Sequence, residues 1–173
     1  DELFYQTGVA QWVGSDVINL HAGGGYGDKK SSLTRLVKNI RMLPRAVRSR
    51  LTLENDDRVY TPADLLPVCG KLGLPFVYDV HHHRALPDGL SIEAATMQAM
   101  ATWNGREPLF HLSSPQAGWG GKDLRLHHDF IDPADVPACW LRLPRPVTIE
   151  IEAKAKEVAI QKLRDIPELR RSF

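Results

Sequence analysis

Seven histidines punctuate the chain: His21, His81, His82, His83, His111, His127 and His128. Six stand at the C-terminal end of a short β-compatible run or in the loop just after it, and His111 lies within one. Three carboxylates share that placement, since Glu54 ends LTLE, Asp79 ends FVYD and Glu152 ends VTIEIE. Neutral imidazoles and carboxylates are donors for divalent ions such as zinc and manganese, and a cluster of ions needs a bridging carboxylate beside its nitrogen donors. The order Asp79-Val80-His81-His82 adds a D-x-x-H pair across a strand end and the start of its loop, which would let two side chains reach adjacent ions. Cys69 and Cys139 are too few for a thiolate site or a disulfide framework, which fits a hydrolytic site in a reducing compartment.

Each residue alone has an ordinary explanation. An isolated histidine such as His21 is more often a hydrogen-bonded loop or core residue than a ligand. The run 81–83 could be plain loop with one or two ligands in it, and Glu54 or Glu152 could serve an ion pair. What points to a metal site is the recurrence of one chemistry at one place in successive units. Alternation in LTLEN adds a reason, because it turns Leu51 and Leu53 one way and Thr52 and Glu54 the other. With the leucines facing helices, Glu54 faces a barrel interior, where an unpaired carboxylate is costly and calls for a metal or a cation.

The elements that must position these side chains follow from periodicity. Strand-like runs at 17–21, 51–55, 75–80, 109–112 and 147–153 alternate with helical stretches at 31–50, 61 to about 73, 91–103, 133–143 and 154–164, after an opening helix over 2–13. Pro44 should kink or divide the second of these helices, and Thr61 with Pro62 reads as a capped helix start. Five strand-then-helix units in series predict a parallel sheet, because parallel neighbours need a crossover that a helix supplies. The class is therefore α/β, as one domain over 1–173, and in a barrel all the strand ends would converge on one face.

The remaining features bound the function. The 22 Lys and Arg against 21 Asp and Glu leave a formal charge of +1, so any nucleic-acid footprint must be local rather than a property of the whole field. Eight basic residues fall between Lys29 and Arg50, read as the solvated face of an outer helix with a DNA contact as the alternative. The glycines of HAGGGYGDKK match neither the dinucleotide nor the P-loop spacing and read as a tight loop beside His21. No apolar run approaches the roughly 18 residues of a membrane span, and the first residues do not read as a signal peptide. A soluble, intracellular protein is expected: cytoplasmic, or nuclear in a eukaryote.

The segments HAGGGYGDK, LTLENDDRVYTPADLLPVC, PFVYDVHHHR, FHLSSP, HHDFID and IEAKAKE, in that order, resemble the UV damage endonucleases, a branch of the barrel superfamily that includes endonuclease IV and xylose isomerase. The resemblance spans nearly the whole chain. It implies a (β/α)8 barrel nuclease that cuts damaged double-stranded DNA immediately 5′ to UV photoproducts and other distortions, using two or three divalent ions, manganese first, with zinc or magnesium as alternatives. Carried over by motif, His21 and Glu54 would hold one ion. Glu54 would bridge to a second, held also by Asp79, His111 and Glu152, while His82 and His127 would serve a third. His127 is preferred to His128 because the family motif is H-x-D followed by an aromatic, here His127-His128-Asp129-Phe130. Glu54, Asp79 and Glu152 would be the carboxylates closest to the chemistry.

Two departures accompany the resemblance. Where the family has a lysine that can be modified to a metal-holding carbamate, this sequence has Leu109. A complete barrel has eight strands in roughly 250 residues, and only five units are visible, so about three are expected to be missing from the N-terminal side. An open sheet of this kind should expose an apolar inner face and free edges, inviting self-association. Two rivals remain: another metal-dependent barrel enzyme such as a sugar isomerase, and a metal- or DNA-binding remnant without catalysis.

Overall fold

The computed structural model describes residues 1–167 and 169. Helix α1 (Glu2–Val13) ends at Gly14, whose left-handed φ of 74° a residue without Cβ adopts freely. Strand β1 (Ile18–His21) leads through the glycine-rich loop to α2 (Lys29–Met42), which Asp28 caps by accepting the Ser31 N–H. Pro44 divides the helical stretch as expected, and a one-turn α3 (Arg45–Arg48) follows it. Then come β2 (Leu51–Glu54), α4 (Pro62–Leu72), β3 (Phe76–Asp79), a short α5 (Val80–Ala85), α6 (Ile92–Ala101), β4 (Leu109–Leu112), β5 (Thr148–Ile151) and α7 (Glu157–Arg164).

All neighbouring strands are parallel and the sheet order is β1-β2-β3-β4-β5, the sequential order of strands in a (β/α)8 barrel. The register separates two faces. Paired residues Leu20 and Leu53, Leu53 and Phe76, Tyr78 and Phe110, and Leu112 and Ile151 all share one parity. Many of these side chains belong to the apolar core that packs beneath α2, α4 and α6, with Val37, Ile40, Leu65, Ala95 and Met100 from the helices. Trp103 and Trp140 close that layer, each burying its ring and donating its indole N–H, to the Phe76 carbonyl and to Thr96 Oγ1 respectively.

The opposite parity carries Asn19, His21, Thr52, Glu54, Val77, Asp79, His111, Glu150 and Glu152. The inner face is thus chiefly polar, which corrects the expectation of an apolar one; hydrophobic residues were spent on the helix-facing side. Other differences have local causes. The helix expected over 133–143 is two 3-10 turns, Pro133–Asp135 and Ala138–Arg142, because Pro137 between them has no N–H to continue an α-helix. The last helix begins later than expected, after Lys156 turns the chain with a φ of 50°. His81, His82 and His83 lie on α5 rather than in a loop, because Asp79 caps that turn, its Oδ1 accepting the His82 N–H at 2.7 Å.

Candidate metal centre

The strand ends bring Glu54 to the middle of a histidine cluster. Its side chain is 3% exposed and faces His111 Nδ1 at 3.2 Å, His21 Nε2 at 3.3 Å and His82 Nδ1 at 3.5 Å. Asn19, two residues before His21 on the same face, donates its amide to Oε2, the carboxylate oxygen that also faces His21, while His111 and His82 face Oε1. Donor atoms of His21, Glu54 and His82 lie within 4.8 Å of one another, and so do those of Glu54, Asp79 and His111. Glu54 belongs to both groups, the position a bridging ligand must take.

Around this centre the other candidates fall at graded distances. Glu152 Oε1 is 3.2 Å from His111 Nδ1, and its Oε2 is 3.7 Å from His127 Nδ1. The His127 ring stands 6.4 Å from that of His82, while the His21 ring is 5.7 Å from it. His21 is half-exposed at the lip, and Asp79 is fully buried at the floor. Asn55 fixes that floor through both backbone groups of Asp79, donating to its carbonyl at 2.8 Å and accepting its N–H at 3.0 Å.

Hydrogen bonds assign separate tasks to the run of three histidines. His82 Nδ1 lies 3.0 Å from the Asn55 carbonyl, which makes that nitrogen the donor, so that loss of the other ring proton to a metal would leave Nε2 with the lone pair. This is the arrangement of metal-bound histidines, whose second nitrogen usually donates to a carbonyl or carboxylate. His83 bridges the Tyr78 hydroxyl, at 2.7 Å, and Asp88 Oδ1, at 3.0 Å, inside the fold. His81 Nε2 reaches the Leu124 carbonyl at 2.6 Å. His128 Nδ1 accepts the Phe130 N–H at 2.9 Å and is exposed.

The electrostatics show a site built for positive charge. Burial would raise Glu54, but the contacts of His111, His21 and His82 outweigh it and hold the carboxyl well below its usual range. Burial would lower His82, yet Glu54 and Asp79 raise it to about 10; it opposes His111 likewise, and Glu150, Glu152 and Glu54 raise that imidazole to about 12. Asp79 is pushed up by burial against the pull of His82. Asp79 Oδ2 and His111 Nε2 are buried without a hydrogen-bond partner, with His82 and Glu150 respectively 3.4 Å away but outside bonding geometry. Leaving such atoms unsatisfied costs about 1–3 kcal/mol each. Four carboxylates converging on imidazoles, with orphaned oxygen and nitrogen atoms among them, form a donor set that fits divalent cations.

Several participants escaped sequence reasoning. Asn19 and Glu150 carry a signal that was available, since each stands two residues before a recognised candidate, Asn19 before His21 and Glu150 before Glu152. Asn55 carries none, because its role depends on contacts with Asp79 and His82 across the sheet.

The chain matches the UV-endonuclease UvdE family over residues 1–172. It is 42% identical over 152 residues to a UV DNA damage endonuclease of Bacillus pumilus, covering 84% of this chain and 47% of that protein. A UV DNA damage endonuclease of Bacillus mycoides is 36% identical over 171 residues, covering 94% and 53%. The crystal structure of SacUVDE superposes with a TM-score of 0.80 at 28% identity, over 97% of this chain and 58% of that one. The chain spans about half the length of the curated relatives it matches.

Proposed function

The chain belongs to the UV-endonuclease UvdE family, and from that premise we propose that it is the metal-bearing portion of a DNA repair endonuclease that hydrolyses the phosphodiester 5′ to UV photoproducts and other lesions in double-stranded DNA. The observation that carries this reading is the shared position of Glu54 between two donor groups at the strand ends. In this reading His21, Glu54, Asp79, His82, His111, His127 and Glu152 hold two or three divalent ions, manganese first, with zinc or magnesium as alternatives. When bound, such ions polarise the scissile phosphate and lower the pKa of a water to make the nucleophile.

The chain's own residues set the stage for that chemistry. Glu54, Asp79 and Glu152 concentrate negative charge where cations must sit. Asn19 orients Glu54, and Asn55 holds both the Asp79 backbone and the His82 ring. His21, at the exposed lip, lies on the side from which a phosphate would approach. A DNA substrate places the protein with the chromosome inside the cell. The free edges of β1 and β5 are the surfaces through which self-association would occur.

The test is a duplex carrying one photoproduct, incubated with the chain in manganese or in chelator. Manganese-dependent cleavage on the 5′ side of the lesion, lost in Glu54→Gln, is expected. Metal binding without cleavage would instead mark a binding portion of the enzyme, and turnover of a sugar would overturn the nuclease reading.

A further inference from the structure

After β4 the chain runs from 113 to 132 with no helix or strand, a length that in a compact domain is either mobile or held for a purpose. His127 stands near the end of this excursion. Its local backbone support is one antiparallel bridge opposite Pro115, flanked by the Gln116 N–H to the Leu126 carbonyl at 2.6 Å and the His128 N–H to the Ser114 carbonyl at 2.8 Å, with the His128 and Asp129 carbonyls accepting the Lys154 and Ala155 N–H groups at 3.2 and 3.0 Å. So short a ladder is marginal by itself.

Two further ties fasten the excursion to α5. His81 Nε2 donates to the Leu124 carbonyl at 2.6 Å, and its ring packs 5.2 Å from the His127 ring. Trp119 lies 5.2 Å from the same His81 ring and 5.7 Å from the Arg84 guanidinium. Three apart on a helix, His81 and Arg84 share one side of α5. The Trp119 indole N–H donates to Asp135 Oδ1 at 2.7 Å, and Asp135 is buried and also accepts the Ser114 hydroxyl at 2.5 Å. Arg84 closes the ring of contacts by donating to the Asp135 carbonyl at 2.7 Å.

We propose that Trp119 and His81 are positioning residues that latch the 113–132 segment onto α5 and thereby fix His127 at the metal centre. The inference rests on the reading of His127 as a ligand. It gives the histidine run a division of labour: His82 faces the carboxylates of the centre, while His81 uses its N–H to hold a neighbouring element in place.

The test titrates manganese into the wild-type chain and into Trp119→Ala, His81→Ala and His127→Ala, counting ions and their affinities. Loss of partners that orient metal ligands usually weakens binding about 10- to 100-fold, and that loss is expected for one ion in Trp119→Ala and His81→Ala. Added to His127→Ala, either substitution should cost nothing more, because both act through that side chain. His81→Gln, whose amide can still donate to Leu124, should recover most of the affinity, which a merely structural role would not require. Trp119→Phe keeps the ring, removes the indole N–H and serves if the alanine variant fails to fold. In metal-free protein, amide exchange at Gln116 and His128 should quicken in Trp119→Ala.

Wild-type ion binding in Trp119→Ala and His81→Ala, or losses that add in full to that of His127→Ala, would overturn the proposal. Wild-type binding in His127→Ala would sink the ligand reading and the latch's purpose with it, even if the exchange rates changed.

Discussion

Replacing Glu54 with glutamine keeps the shape of the side chain and removes its charge from the middle of the cluster. In metal-free protein the carboxylate faces His111 at 3.2 Å and His82 at 3.5 Å, both deeply buried. His21, at 3.3 Å, is half-exposed, so solvent screening leaves it a minor contributor. Two buried charge-assisted contacts at about 1.5–3 kcal/mol each give roughly 3–6 kcal/mol. Breaking a buried ion pair from one side costs about 3–5 kcal/mol, and because Asp79, Glu150 and Glu152 still face the imidazoles, the lower part of the range is expected. For a domain of this size about 3–4 kcal/mol is a fall in melting temperature of about 6–16 °C. Thermal unfolding in chelator measures it directly. A Glu54→Gln variant as stable as wild type, or more stable, would refute the reasoning by showing that repulsion among the carboxylates outweighs their pairing. Metal should widen the difference, because an ion at a hundred times its Kd adds about 2.7 kcal/mol to a protein that binds it and nothing to one that does not.

Other perturbations probe separate parts of the account. His82 is raised in the folded state to about 10 from an ordinary 6.5, so its contribution to metal-free stability is complete below about pH 6.5 and is lost as pH rises through 10; unfolding midpoints in chelator should fall across that window, and a flat profile would contradict the pairing. Asn55→Ala strands the Asp79 N–H and carbonyl in the interior and should destabilise by about 2–6 kcal/mol on urea unfolding; a loss under 1 kcal/mol would mean that water replaces the amide. Asp64→Ala removes the acceptor of the Thr61 N–H at 2.9 Å at the start of α4 and an exposed contact to Lys29, so a loss of about 1 kcal/mol with unchanged metal binding is expected. Reduced metal binding in that variant would show that α4 is coupled to the site.

Much of this architecture was legible in the residues because the fold repeats one physical pattern. Strands and helices announce themselves through period, and Pro44, Thr61 and Gly14 punctuate them as sterics and capping require. Parity within LTLEN was enough to separate Leu53 from Glu54, and the same rule applied to VTIEIEA would have placed Glu150 beside Glu152. What the sequence hid is long-range. Whether His81, His82 or His83 turns toward the centre is settled by α5 and by the carbonyls of Asn55 and Leu124, 27 and 43 residues away. The polar character of the inner face was also missed, because the parity argument that turned Glu54 inward was applied to LTLEN and not carried to the neighbouring strands. The failed helix over 133–143 came from weighing apolar spacing above Pro137, whose missing N–H decided the matter.

The central claim, that the strand ends form a multi-metal centre organised on Glu54, is tested most directly by counting metal in purified chain after manganese loading and removal of excess. Elemental mass spectrometry should find two or more equivalents in the wild type and a loss of at least two in Glu54→Gln, since both donor groups share that carboxylate. Retention of the full complement by Glu54→Gln, or the absence of bound metal from the wild type, would contradict the account.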